Sequence, residues 1–245
     1  MSAPVFLADP TRIADAVIVL DGAEGRHAAV VRRLRVGERV DLTDGAGQVA
    51  QCLVEEVAGW GLTCRVSSRY DVAPPSPRLV VVQALPKGDR EELAVELLTE
   101  VGADVIVPWS ASRCVTRWRG ERAARSLARW RTTARESAKQ ARRAWLPEVR
   151  ELAGTAAVAE LLAGAALPVL LHESATRAVS SLPVPDAGDV VVVVGPEGGI
   201  SDEELSAFAA AGADAVRLGT SVLRTSTAGA VAAGVLLSRT ARWVP

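Results

Sequence analysis

Apolar and polar residues alternate with a period of two over the first 70 or so residues, which is the pattern of half-buried β-strands. The run from Leu62 to Ser67 shows this alternation clearly. Asp44-Gly45-Ala46-Gly47 separates two further apolar runs, and glycine readily accepts the positive φ angles of a hairpin loop. The pattern predicts a small β-barrel over residues 1–72, with one short helix around residues 27–34.

A proline-rich segment, Ala73-Pro74-Pro75-Ser76-Pro77, follows this region. It can continue neither a strand nor a helix, so it predicts an interdomain linker over residues 73–77. Beyond it, continuous apolar runs alternate with stretches long enough for crossover helices, as in parallel sheets that are covered on both faces. Residues 78–245 are therefore predicted to form an α/β domain. Its strand candidates are Leu79–Val82, Val105–Val107, Leu167–Leu171 and Val190–Val194.

Helix starts are predicted where a short polar residue precedes glutamate by three positions, the spacing of a capping box. Asp89 with Glu92 and Ser201 with Glu204 both have this spacing. Apolar residues recur at helical spacing after each box. The predicted buried positions are Leu93, Leu97, Leu98 and Val101 in the first helix, and Leu205, Phe208 and Ala209 in the second.

The composition is that of a globular protein, with 49% hydrophobic and 23% charged residues. The N-terminal residues lack the basic start and apolar block of a signal peptide, and no apolar run approaches the length of a membrane helix. We therefore expect a cytoplasmic protein that does not bind a membrane. Three cysteines without a CxxC pair and two histidines indicate neither a disulfide framework nor a metal site.

The net charge of −1 is distributed unevenly. Residues 113–143 contain eleven basic residues against Glu121 and Glu136. A block of this sign in an otherwise acidic chain indicates a surface that binds nucleic-acid phosphates, although a solvated arginine-rich helix would show the same pattern.

Three loops should hold the chemistry, because ligands of open α/β sheets bind beyond the carboxyl ends of the strands. They are Leu171–Glu173, Gly195–Gly199 and Leu218–Arg224. The middle loop, with three glycines and a proline before a helix start, lets a ligand approach the main chain. It is neither a Walker loop nor a GxGxxG loop, and on its own it could be a plain connection.

The sequences of these loops resemble a known family. GPEGGISDEEL followed by VRLGTSVLRTSTAGAVAAG is similar to the C-terminal signature of the SPOUT-class ribosomal RNA small-subunit methyltransferase E family. ALPKGDREELAVELLTEVGADVIVPWSASRCV resembles the first strand and helix of the family's catalytic domain, and HAAVVRRLRVGERVDLTDGAG resembles its PUA-like RNA-binding barrel. The resemblance covers most of the chain.

The resemblance implies a trefoil knot in the α/β domain, a homodimer, and methylation of N3 of one uridine in the 16S rRNA of the 30S subunit. It also implies that S-adenosylmethionine is bound by the three loops. Ser226 departs from the family, whose members usually carry glutamate there. The implied cofactor-binding residues are Leu171, His172, Gly195, Pro196, Glu197, Gly198, Gly199, Leu218, Gly219, Val222, Leu223 and Arg224.

Among the site residues, Arg224 is the candidate catalytic group. Its guanidinium cannot act as a base, but it can orient the target base and stabilise uridinate oxygens. A structural ion pair is the alternative. Glu197 could accept a proton or, more simply, cap the following helix, and His172 could be a weak base or part of the pocket wall.

For RNA, two clusters of arginines are the candidate phosphate contacts. Such contacts position a nucleic acid but carry little sequence information. Two other functions remain open, namely methylation of a ribose 2′-hydroxyl and RNA binding without catalysis by a ribosome-assembly factor. The predicted RNA-binding residues are Arg26, Arg32, Arg33, Arg35, Arg142 and Arg143.

Overall fold

A computed structural model describes residues 3–243 of the chain. The chain folds into two compact units. The first unit holds the chain up to Pro74 together with Ala138–Leu146, and the second holds Pro75–Ser137 and the chain from Pro147 onward. The proline-rich segment predicted as a linker contains no helix or strand.

The first unit is built on a five-stranded sheet with the order β1-β3-β4-β5-β2. Strand β1 pairs in parallel with β3, and the other pairs are antiparallel. The predicted hairpin is confirmed, because Asp44–Gly47 joins β3 to β4. The predicted short helix is an α-helical turn continued by a π-helical turn over His27–Val31. The elements are β1 Val5–Leu7, β2 Val17–Leu20, α1 Gly22–Arg26, β3 Arg39–Thr43, β4 Gln48–Ala58 and β5 Gly61–Asp71.

The segment Ala138–Leu146 joins the first unit by packing on the β3–β4 hairpin. The Trp145 indole N–H donates to the Val72 carbonyl at 2.9 Å. A Cβ at Gly47 would lie 2.7 Å from the Trp145 ring, and one at Gly45 would lie 2.8 Å from Leu146. Both glycines also have positive φ, so the hairpin loop requires glycine for its conformation and for this close packing.

Burial makes the cysteine thiols of the first unit weakly acidic. Loss of hydration raises the pKa of Cys52 to about 12 and that of Cys64 to about 11. We expect the native protein to resist alkylation by iodoacetamide at pH 8, because thiolate is the reactive form. Mass spectrometry should detect modification of both residues only after unfolding in guanidinium chloride. Rapid native labelling of either residue would contradict this buried arrangement.

The second unit contains a six-stranded parallel sheet with the order β11-β9-β10-β6-β7-β8. The four apolar runs predicted as strands are confirmed as β6, β7, β9 and β10. Strand β10 lies between β6 and β9, so the loops that leave the carboxyl ends of β9, β10 and β11 start side by side. The elements are β6 Arg78–Ala84, α2 Glu91–Val101, β7 Val105–Trp109, α3 Gly120–Gln140, β8 Glu148–Val149, α4 Thr155–Ala163, β9 Leu167–Leu171, β10 Asp189–Val194, α5 Asp202–Ala210, β11 Asp214–Val216 and α6 Thr225–Leu237.

Of the two predicted capping boxes, only the second forms. At α5, the Glu204 N–H donates to Ser201 Oγ and the Ser201 N–H donates to the Glu204 carboxylate. The box predicted at Asp89 is wrong, because Asp89 lies inside a 3₁₀ turn and α2 begins at Glu91 without a side-chain cap. The buried face of α2 also differs from the prediction, since Leu93 is exposed and the buried residues are Ala94, Val95, Leu98 and Thr99.

Helix α6 packs closely on α2 and β10 through Gly229. A Cβ at this position would lie 3.0 Å from Leu98 Cδ2 and 3.1 Å from Val194 Cγ2. This glycine is therefore explained by packing within one chain.

The end of the described chain is tied to the second unit by a buried ion pair. Arg242 donates from Nη1 to Asp104 Oδ2 at 2.7 Å and from Nη2 to Asp104 Oδ1 at 3.0 Å. The same guanidinium donates to the carbonyls of Pro77 and Gly102. Asp104 also accepts the Leu79 N–H of β6 at 2.8 Å, so this pair joins three separate segments.

Candidate functional site

The carboxyl ends of β9, β10 and β11 surround a cavity of about 650 Å³ in the second unit. All twelve residues predicted to hold a cofactor line this cavity. The three predicted loops therefore meet, as their positions after neighbouring parallel strands require. Lining residues that were not among the predicted cofactor-binding residues are Arg113, Glu173, Val194, Ile200, Asp202, Leu205, Val216, Arg217, Thr220, Ser221, Thr225 and Ala228, of which Glu173, Thr220 and Ser221 lie within the predicted loops.

The loop Gly195–Gly199 is closely packed against its surroundings. A Cβ at Gly198 would lie 2.8 Å from the main-chain oxygen of Arg113, and one at Gly195 would lie 2.7 Å from the Ile200 side chain. Gly199 has a φ of +76° and its N–H donates to the Pro196 carbonyl at 2.9 Å. Glycine is thus needed for space at two positions and for conformation at the third.

The helix that follows this loop is held by one buried carboxylate. Glu204 accepts the Ser112 N–H at 2.7 Å, the Ser112 hydroxyl at 3.0 Å and the Thr155 hydroxyl at 3.3 Å, besides its capping-box bond. Burial alone would raise the pKa of Glu204, but these donors together hold it below its ordinary value. Glu204 therefore fixes the start of α5 against the loop after β7 and the start of α4.

Arg224 ends the third loop and precedes α6. Its side chain is exposed and makes no ion pair with any carboxylate among residues 3–243, so the structural ion pair considered from sequence is not formed there. Its carbonyl accepts the N–H groups of Thr227 and Ala228, both at 2.9 Å. The main chain thus anchors this residue while its guanidinium remains available at the cavity.

The two other candidates for acid–base chemistry are engaged by main-chain donors. His172 Nδ1 accepts the Ser174 N–H at 3.2 Å. Glu197 Oε1 accepts the Lys87 N–H at 3.1 Å. The predicted capping role of Glu197 is wrong, because Ser201 caps α5 and Glu197 instead connects the glycine loop to the segment after β6.

Comparisons with known proteins place this geometry in a family. The RNA methyltransferase domain family matches residues 74–237, and the RNA methyltransferase PUA domain family matches residues 20–66. A Mycobacterium bovis protein named ribosomal RNA small subunit methyltransferase E is 48% identical over 99% of this chain and 94% of its own length. The chain belongs to the ribosomal RNA small subunit methyltransferase E family.

Solved structures agree with the family assignment. A Legionella pneumophila structure, described as a methyltransferase complex with the cofactor SAM, is 28% identical, with a TM-score of 0.88 over 98% of this chain and 99% of that one. A ribosomal RNA small subunit methyltransferase E from Neisseria gonorrhoeae, bound to S-adenosylmethionine, has a TM-score of 0.83 at 23% identity over 97% and 98% of the two chains, which shows the fold alone. The predicted fold class, an α/β methyltransferase domain with an N-terminal PUA domain, is confirmed.

Ser226, where the family resemblance leads us to expect glutamate, lies in the first turn of α6. It is 2% exposed, and its hydroxyl has no hydrogen-bond partner among the described residues. Gln83 Oε1, also buried, has none there either, although Gln83 Nε2 donates to the carbonyls of Ala84 and Thr225. A carboxylate function at this position is therefore absent from this member of the family.

All six arginines predicted to bind RNA lie in the first unit of this methyltransferase. Five are exposed and Arg143 is half-buried. Exposed Val30, Val31 and Val36 are interspersed with three of them. Arg33 and Arg142 have φ angles of 53° and 56°, which non-glycine residues seldom adopt.

At least four of the eleven basic residues of the segment 113–143 pair with glutamates. Arg125 pairs with Glu121, Arg129 with Glu92, and Arg131 with Glu151. Lys139 is buried in the first unit, where it pairs with Glu24 at 2.9 Å. The inner face of α3 is fixed by Trp130, whose indole N–H donates to the same Glu91 oxygen as that of Trp118. The segment thus has structural as well as potential RNA-binding roles.

Among residues 3–243, no group of three or more histidine, cysteine, aspartate or glutamate side chains could hold a metal ion. No helix in that range is both long and apolar enough to cross a membrane.

Proposed function

We propose that the protein methylates N3 of a uridine in the 16S rRNA of the small ribosomal subunit, with S-adenosylmethionine as methyl donor. The observation that carries this proposal is the cavity between the loops after β9, β10 and β11, within the methyltransferase domain. The name of the Mycobacterium relative supports the substrate, and the cofactor of the Legionella structure supports the methyl donor.

The residues of the cavity fit S-adenosylmethionine. The volume of about 650 Å³ lies within the roughly 300–1,000 Å³ usual for small-molecule sites. The tightly packed glycine loop presents main-chain polar groups with little side-chain cover, and Leu171, Leu218 and Leu223 supply apolar walls. When bound, S-adenosylmethionine supplies a methyl group on a positively charged sulfur that a nucleophilic nitrogen can accept.

For its part, the protein must position the uridine and stabilise the charge that develops when N3 loses its proton. Arg224 is suited to this role, because its guanidinium donates hydrogen bonds and remains charged. The carboxylate of Glu197 and Nδ1 of His172 already accept main-chain hydrogen bonds. We therefore propose that the N3 proton leaves to water while Arg224 stabilises the uridinate oxygens.

Binding of rRNA is assigned to the predicted arginines of the first unit. Arg143 is half-buried, and it is included because it is adjacent to the exposed Arg142. The proposal also includes a trefoil knot in the second unit, a homodimer and action in the cytoplasm. All three are based on the family resemblance. The domain boundaries at residues 73–77 belong to the same proposal.

Light scattering should give twice the monomer mass, and a monomeric mass at micromolar concentration would contradict the dimer.

Two alternatives are separated by direct assays. Purified protein, 30S subunits and radiolabelled S-adenosylmethionine should yield label in 16S rRNA, whereas an assembly factor without activity would transfer none. Isothermal titration calorimetry should also detect S-adenosylmethionine binding. Digestion to nucleosides then distinguishes base methylation from methylation of a ribose 2′-hydroxyl.

Replacing Gly198 with alanine should weaken S-adenosylmethionine binding by about tenfold or more, equivalent to about 1.4 kcal/mol. The added Cβ would lie 2.8 Å from the main-chain oxygen of Arg113, so the glycine loop or the Arg113 segment must move. Calorimetry measures the dissociation constant. Gly59→Ala is the matched control, because a Cβ there meets no atom within 4 Å. Equal affinities for Gly198→Ala and the wild type would show that the loop does not contact the cofactor.

A further inference from the structure

Arg113 occupies a position at the cavity that the sequence did not reveal. It follows β7 in the loop that leads to α3, and it lines the same cavity as Arg224. Its side chain is exposed, and Nη1 donates to the Ile200 carbonyl at 3.3 Å. The guanidinium therefore lies beside the glycine loop. Most of its five N–H donors have no acceptor among the described residues.

The main chain that precedes Arg113 is fixed by hydrogen bonds. Both the N–H and the hydroxyl of Ser112 donate to the buried Glu204 carboxylate. Arg117 donates to the carbonyls of Ala111 and Ser112, at 3.0 and 2.5 Å. The Arg113 carbonyl itself packs against Gly198. Because the main chain is already ordered, binding of a ligand needs to order only the side chain of Arg113, which limits the entropic cost.

Arg113 makes no ion pair with a carboxylate within residues 3–243. Hydrogen bonds from the Glu203 main-chain N–H and the Ser201 hydroxyl lower the pKa of the Glu203 carboxylate, and the positive charge of Arg113 lowers it further by a smaller amount. That carboxylate is fully exposed, so solvent screens its interaction with Arg113. A positive charge thus remains available at the cavity.

The position of Arg113 in the basic segment indicates which anion it binds. The arginines of this segment that pair with glutamates, Arg125, Arg129 and Arg131, lie further along α3. Exposed Arg119 and Arg122, closer to Arg113 in the chain, make no such pair in the described structure. Arg113 at the cavity is therefore followed in the chain by two more arginines whose charge is not paired with a carboxylate, and such a group suits the phosphates of a nucleic acid.

We propose that Arg113 binds a backbone phosphate of the RNA beside the nucleotide that enters the cavity. The planar guanidinium can donate two parallel hydrogen bonds to phosphate oxygens, which orients the strand as well as attracting it. Arg113 is in this view a positioning residue for the RNA, while Arg224 acts on the base. The inference rests on the proposed function, because it takes RNA as the substrate of this cavity.

The test measures RNA binding directly. Filter binding of 16S rRNA transcript over 50–200 mM KCl gives the slope of log affinity against log salt for the wild type and variants. Arg113→Gln should weaken binding by about tenfold at low salt and reduce the slope by about 1, the value expected for one lost phosphate contact. Arg113→Lys should retain the slope, because it keeps the charge. Arg78→Gln serves as the control for net charge, because it removes an exposed arginine at the amino end of β6, whereas the cavity lies at the carboxyl ends of the parallel strands.

Calorimetry with S-adenosylmethionine shows whether Arg113 binds a phosphate of the RNA or the carboxylate of the cofactor. The proposal predicts an unchanged dissociation constant for Arg113→Gln. An affinity for S-adenosylmethionine about tenfold lower, with an unchanged RNA slope, would assign Arg113 to the cofactor's carboxylate and overturn the proposal. If neither the RNA slope nor the cofactor affinity changed, the proposal would also be overturned, and the role of the Arg113 side chain would be limited to its hydrogen bond to the Ile200 carbonyl. Since RNA binding is measured without turnover, a wild-type protein that binds rRNA through Arg113 but transfers no methyl group would contradict the proposed function alone.

Discussion

Replacing Arg224 with alanine is expected to slow methyl transfer to 16S rRNA by about 100-fold or more, the usual effect of removing a group that stabilises developing charge. The guanidinium is exposed at the cavity and makes no ion pair among residues 3–243. The residue's contribution to α6 comes from its carbonyl, which alanine also provides. The fold should therefore survive while the chemical step is lost. Single-turnover kinetics on 30S subunits measures that step.

Arg224→Lys provides the matched control. It keeps the charge but loses the planar pair of donors, so we expect a rate between those of the wild type and Arg224→Ala. Because Arg224 is also a predicted cofactor-binding residue, calorimetry on all three proteins should show a loss of affinity for S-adenosylmethionine that is much smaller than the loss of rate. An alanine variant with the wild-type rate would remove Arg224 from the mechanism, and one that no longer binds the cofactor would make Arg224 a cofactor ligand only.

Replacing Arg242 with alanine is expected to lower the free energy of unfolding by about 3–5 kcal/mol, the range for breaking a buried ion pair from one side. The variant leaves Asp104, which is 8% exposed, without the two hydrogen bonds from the guanidinium. It also removes the donors to the Pro77 and Gly102 carbonyls. Urea denaturation followed by circular dichroism measures the change.

Arg78→Ala is the control for this effect. Arg78 also makes a two-fold hydrogen-bonded pair, with Asp189, but both side chains are substantially exposed to solvent. Exposed pairs contribute roughly 0–1 kcal/mol, so the loss should be much smaller. Equal destabilisation by the two substitutions would show that burial of the Arg242–Asp104 pair does not determine its contribution.

Elements whose signal is local could be predicted from the sequence. The apolar runs of the parallel sheet gave four strands correctly, because a strand buried on both faces needs apolar residues throughout. The Asp44–Gly47 hairpin and the capping box at Ser201 were also correct, since each depends on neighbouring residues. The rule that ligands bind at the carboxyl ends of parallel strands then brought the three predicted loops to one cavity.

Features that depend on partners distant in sequence could not be predicted. The capping-box spacing at Asp89 did not predict the 3₁₀ turn that the chain forms there. Charge counting identified the basic segment, but not that Lys139 is buried against Glu24. Arg113 was counted only as one of many arginines. The loop after β7 was not predicted to belong to the site, although it too leaves the carboxyl end of a strand beside β6.

The central claim is tested most directly by identifying the methylated atom in rRNA. After reaction with 30S subunits, 16S rRNA should be digested to nucleosides and analysed by mass spectrometry, and an undigested portion should be mapped by primer extension. We predict N3-methyluridine at a single position, with a reverse-transcription stop there, because methylation of N3 blocks base pairing. A 2′-O-methylated nucleoside, or no methylated nucleoside despite bound rRNA and S-adenosylmethionine, would contradict this account.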